Sequence, residues 1–106
     1  MKQYNKLIRD KVPAMMLASG RKMVTRTVVG QELRAALRTK IDEEVAEYDA
    51  AADDDLAAVE LADLLEVVMA LAKTRGFDEG AIQRMRATKA DQRGGFDLGC
   101  FLLKAE

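Results

Sequence analysis

The stretch that most constrains the fold runs from residue 40 to residue 63: Lys-Ile-Asp-Glu-Glu-Val-Ala-Glu-Tyr, an Ala/Asp-rich gap, then Glu-Leu-Ala-Asp. Glu44 and Glu47 form one pair of carboxylates and Glu60 and Asp63 another, each spaced so that its members share a helix face. Projected at about 100° per residue, Glu44 falls between Leu33 and Leu37, with Glu47 and Lys40 beside them. Glu60 falls among Leu56, Leu64, Val67 and Leu71, with Asp63 just to one side. Both pairs lie on apolar stripes and point inward. A lone acidic pair on a helix is ordinarily a solvated face; two pairs on two adjacent apolar stripes are not explained that way. Carboxylates buried without partners are too costly to keep, and a divalent cation compensates four of them most simply.

The rest of the chain favours helix. One proline, few aromatics and abundant Ala, Leu, Glu and Arg predict an all-α fold. Asp10 is read as the cap of a short helix with Pro13 in its first turn and Gly20 as its stop. Residues 22–29, rich in Val and Thr, read as a short strand or an extended connection. A first long helix is expected from Gly30 or Gln31 to about Ala52. The aspartates at 53–55 break the chain and cap a second, from about Leu56 to Arg75, which Gly76 closes. Asp78 caps a fourth, from about Glu79 to Gln92, with Arg84, Arg86 and Lys89 as its basic side.

The second long helix also carries Leu61, Leu65, Val68 and Met69 on the side away from Glu60. A helix apolar nearly all round must be covered on both sides. In a chain of 106 residues the second cover is expected to be another subunit. The expectation is therefore one domain, residues 1–106, forming a helical bundle of about four helices completed by oligomerisation. The apolar tail from Leu98 to Leu103 is expected to pack on a neighbour.

Charge and composition narrow the function. Seventeen basic and eighteen acidic residues are interspersed, so no electrostatic footprint for a nucleic-acid polymer exists. No apolar run reaches membrane-spanning length, and the single Cys100, with no apolar signal region at the start, fits a reducing cytoplasm. The absence of histidine argues against zinc and against a nucleophilic triad, and no phosphate-binding glycine loop of the Walker type is present. An all-oxygen set suits Mg2+ or Mn2+, and Mg2+ commonly completes its shell with phosphate oxygens. The expected substrate is therefore phosphorylated. Lys40, one turn before Glu44, and Lys89 and Arg93, one turn apart, are candidates to receive its phosphates. Each also has an ordinary explanation: a helix ion pair with Glu44 for Lys40, and a solvated basic face for the other two. Hydrolysis by an activated water is the remaining route.

These residues resemble a known family. Glu43-Glu44-Val45-Ala46-Glu47, a gap, then Glu60-Leu61-Ala62-Asp63 resembles the EExxE…ExxD signature of the all-α nucleoside triphosphate pyrophosphohydrolases, the MazG and phosphoribosyl-ATP pyrophosphohydrolase superfamily. Residues 4–13, Tyr-Asn-Lys-Leu-Ile-Arg-Asp-Lys-Val-Pro, and residues 89–96, Lys-Ala-Asp-Gln-Arg-Gly-Gly-Phe, resemble its small MazG-like branch. The resemblance implies Mg2+-dependent cleavage between the α and β phosphates of a nucleotide, giving a monophosphate and pyrophosphate. It implies that Glu44, Glu47, Glu60 and Asp63 hold metal. Glu43 would be a further ligand or position water, with Glu44 or Glu47 activating it. Lys40, Lys89 and Arg93 would bind phosphates, and Lys6, Arg9 and Lys11 would close over the triphosphate. The family's helical bundles are completed by dimerisation, sometimes paired again into tetramers. The gap between the acid pairs here is short, leaving little room for base-recognising insertions. Two other readings compete: phosphoribosyl-ATP hydrolysis, and a catalytically silent helical oligomer that binds a nucleotide or a protein.

Overall fold

A computed structural model describes residues 1–106 and contains four α-helices and no strand: α1 (Val12–Ala18), α2 (Gly30–Ala50), α3 (Asp54–Thr74) and α4 (Glu79–Arg93). The two long helices pack on each other as a hairpin, α4 packs on α3, and α1 packs on no other helix of the chain. The molecule is correspondingly elongated, 58 × 36 × 24 Å.

Local chemistry sets the boundaries. Asp53 accepts a hydrogen bond from the Leu56 amide at 2.8 Å and Asp78 accepts one from the Ala81 amide at 2.8 Å, so both aspartates cap helices as their positions predict. Gly76, with φ of +87°, turns the chain after α3. At the far end of the hairpin Arg34 of α2 donates from Nη2 to the Thr74 carbonyl at 2.9 Å. That contact gives an otherwise unpaired last-turn carbonyl of α3 a cationic partner.

One expectation changes and one open choice is decided. Asp10 does not cap α1: the cap position is Lys11, in helical conformation, with no side-chain hydrogen bond, and Pro13 supplies the starting geometry instead. Residues 22–29 form no strand, since no second strand exists to pair with them. They run as an irregular connection whose Arg26 meets Glu32, in the first turn of α2, at 2.5 Å.

Burial is sparse. Only Leu37, Val67, Met69 and Glu44 are buried, and the three apolar members lie on the α2–α3 hairpin. On α3, Leu61 and Leu65 are each 50% exposed and Val68 is exposed as well. The tail is more open still: Phe96, Leu98, Phe101, Leu102 and Leu103 are all largely in solvent. No helix is long and apolar enough to cross a membrane.

Candidate functional site

The hairpin brings carboxylates from two helices to one point. Glu44 and Glu47 lie on α2, Glu60 on α3, and one oxygen of each lies within 4.8 Å of the others. Glu44 sits in the seam at 6% exposure, the sole buried charged residue of the chain. Glu60 is half-buried and Glu47 exposed, so the group grades from the seam toward solvent. Glu44 faces inward because it shares the stripe of Leu37, the one buried apolar side chain of α2. Glu60 holds the matching place on α3, seven positions before the buried Val67.

The electrostatics follow from this crowding. Glu44 Oε2 and Glu60 Oε2 are buried without any hydrogen-bond partner. Glu60 is pushed up to about 7, first by hydrogen bonding with Glu47, then by burial and by the hydrogen bond and repulsion from Glu44. Glu44 is also raised, chiefly by burial, with repulsion from Glu47 and Asp63 adding to it. The hydrogen bond with Glu60 and the charge of Lys40 act on Glu44 in the opposite sense. A single proton residing on Glu60 and shared with its neighbours accounts for both directions, as it does wherever like charges meet.

The donor set fits a hard divalent ion. Three carboxylate oxygens close together, from residues two of which also hold a donorless buried oxygen, with no nitrogen or sulfur in the group, offer the ligands that Mg2+ and Mn2+ take. Orphaned buried oxygens are rare in folded proteins, and a missing ion is one of the standard reasons for them.

The remaining candidates do not join this group. Asp63, predicted as the fourth ligand, lies outside the three-oxygen group: its Oδ1 accepts from Arg9 Nη2 at 2.6 Å. Lys40 pairs with Glu43 at 2.9 Å, three positions on, and not with Glu44. Glu43 is thereby neutralised beside the cluster and is not among its members. Lys89 and Arg93 share an open concavity on α4 with Arg84, Met85, Thr88 and Gln92, and no carboxylate lines it. Lys6 lies over the Tyr4 ring, 5.8 Å from its centroid, and Lys11 is exposed. Neither Lys6 nor Lys11 has an acidic partner. Three contributors escape the sequence reading. Thr88 and Gln92 carry no charge to mark them, although each sits one turn from a basic residue of the same face. Arg34, which ties the hairpin ends together, has no local signal at all, because its partner is forty positions away.

Comparison with known proteins adds one relative of undescribed function. An uncharacterized protein of Mycolicibacterium smegmatis is 51% identical over 51 residues, which is 48% of this chain and 52% of that protein. The chain thus spans about half the length of the curated relative it matches. No family model matches the chain, and no solved structure matches it.

Proposed function

We propose that the protein is a Mg2+-dependent nucleotide pyrophosphohydrolase of the MazG-like, all-α kind, cleaving a nucleoside triphosphate between its α and β phosphates. The observation that carries this reading is the convergence of Glu44, Glu47 and Glu60, with a buried, donorless oxygen on each of Glu44 and Glu60. Glu44, Glu47 and Glu60 would hold the cation, with Asp63 joining them once it leaves Arg9. A bound Mg2+ would offset charge on the phosphates and orient them. Glu47, the most exposed of the trio, is best placed to accept a proton from an attacking water. Lys89 and Arg93 would take phosphate oxygens from the α4 side, and Lys40 holds Glu43 in place beside the metal ligands.

The same reading includes self-association. The exposed row Leu61, Leu65 and Val68 on α3 supports a homodimer or homotetramer, in which another copy completes the bundle. A reducing cytoplasmic setting suits the exposed, unpaired Cys100.

The test is pyrophosphate release from a panel of nucleoside triphosphates with Mg2+, with and without chelator. Release that the chelator abolishes, and that Glu44→Gln abolishes, is the expected result. No release from any triphosphate, with phosphoribosyl-ATP included in the panel, would leave a silent binding module as the surviving description.

A further inference from the structure

We propose that Arg9 is a built-in counter-cation for the acidic cluster: it holds Asp63 while the cluster is bare and yields it when a divalent cation binds, freeing the amino-terminal arm. This rests on the metal-binding part of the reading above.

Four ion pairs exist in the chain, and three join residues no more than six positions apart: Arg26 with Glu32, Arg38 with Asp42, and Lys40 with Glu43. Arg9 and Asp63 are separated by 54 positions and meet at 2.6 Å. Theirs is the one ion pair that only the tertiary fold can make. Residues 1–9 form no regular structure and α1, which follows, packs on no other helix; apart from the half-buried Leu7 and Ile8, the residues of the arm are exposed. The guanidinium is therefore the polar tether of the arm to the hairpin.

Its acidic partner is positioned to feel a metal. Asp63 lies three residues from Glu60 on α3, on the same helix face, and its charge is felt at Glu44. Glu44 itself is more than nine-tenths buried, keeps one oxygen with no donor, and contributes an oxygen to the cluster. A cation bound there attracts the Asp63 carboxylate, which a single guanidinium then has to share or surrender. The tether is weak enough to yield: the Arg9 side chain is 58% exposed and that of Asp63 33% exposed, and ion pairs screened by solvent in this way contribute little. Once released, the arm presents Lys6, Arg9 and Lys11 together, three cations within six positions and none of them paired to an acid. Such a segment suits a polyphosphate anion. Metal binding and recruitment of the arm to substrate would then be one event, with Arg9 changing partner from carboxylate to phosphate.

Titration of the full chain with Mn2+ alone, followed by electron paramagnetic resonance of the free ion, tests this without any triphosphate. Arg9→Gln should bind Mn2+ about two- to fivefold more tightly than the wild type, the scale of a solvent-screened ion pair. Arg9→Lys should fall between. In an Asp63→Asn background Arg9→Gln should have no effect, because the competition it relieves is already gone. Amide exchange gives a second readout: Mn2+ should accelerate exchange across residues 2–12 in the wild type, while Arg9→Gln exchanges fast from the start. Unchanged or weaker Mn2+ binding by Arg9→Gln, or an arm that slows on Mn2+ addition, would overturn the role of Arg9 alone, provided Glu44→Gln abolishes binding by the wild-type scaffold. A wild type that binds no Mn2+ would overturn both this inference and the metal centre.

Discussion

Glu44 and Glu60 meet across the α2–α3 seam with a buried oxygen on each that no donor reaches. Every other charged side chain in the molecule is at least partly open to water. The chain thus places its one buried charge against a second carboxylate, an arrangement that water cannot relieve and that a proton or a cation can. On the proposed reading, stability and metal binding are linked at this contact.

The first consequence concerns pH. Glu60 is raised to about 7 by Glu47, burial and Glu44, whereas an unfolded glutamate titrates near 4.3. The folded chain therefore binds more protons than the unfolded one between those values, and its stability falls as pH rises through that window. Thermal unfolding in chelator should show the melting temperature dropping from pH 5 to pH 8, with a much flatter profile in Glu60→Gln. Because the cation replaces the proton, Mn2+ affinity should rise over the same interval. A melting temperature that climbs steadily to pH 8 in chelator would contradict the shared proton.

Replacing Glu44 with glutamine should separate stability from activity. The amide keeps the shape, removes the buried charge and offers donors to its acidic neighbours. Relief of an unpaired buried carboxylate is worth about 1 to 3 kcal/mol. In a domain of this size that raises the metal-free melting temperature by several degrees. Pyrophosphate release should disappear in the same variant. A destabilised Glu44→Gln would mean that the carboxylate is satisfied in the metal-free protein and that the cluster is not waiting for an ion.

Much of this arrangement is legible from residue order, and what is not has a physical reason. The caps at Asp53 and Asp78 and the turn at Gly76 are local events, decided by side chains within three or four positions of their targets. The inward turn of Glu44 and Glu60 is likewise carried by helical period and by Leu37 and Val67 beside them. Asp10 misleads because a proline two positions into a helix sets its start without any cap. Lys40 has acids at both i+3 and i+4, and helix spacing alone does not choose between them. The fold chooses, since the seam buries Glu44 and leaves Glu43 to the lysine. The capture of Asp63 by Arg9 has no local signature, because nothing in either segment's spacing refers to the other.

Self-association is the third expectation. Only four residues of 106 are buried, while Leu61, Leu65 and Val68 stand exposed along one side of α3. Sedimentation should give at least twice the 11.7 kDa chain mass. Glu substitutions at both Leu61 and Leu65 should shift the species toward monomer and lower the melting temperature together, since burying two charges at an interface without partners is strongly unfavourable. A wild type that sediments as a monomer and still unfolds cooperatively would show that α3 needs no second cover.

The last expectation separates the two ends of the proposed substrate path. Lys89 and Arg93 face a concavity of α4 that no carboxylate lines, so on the proposed reading their charges would serve the anion and not the cation site. A hydrogen bond from a charged donor contributes about 1.5 to 3 kcal/mol, which is roughly tenfold or more in binding. Lys89→Ala and Arg93→Ala should each raise KM for a nucleoside triphosphate by about tenfold while leaving Mn2+ affinity at its wild-type value. Both side chains are exposed, so neither change should move the melting temperature by more than a degree or two. If KM stays constant in both variants, the phosphates do not lie along α4, and the arm carrying Lys6, Arg9 and Lys11 becomes their principal binding surface.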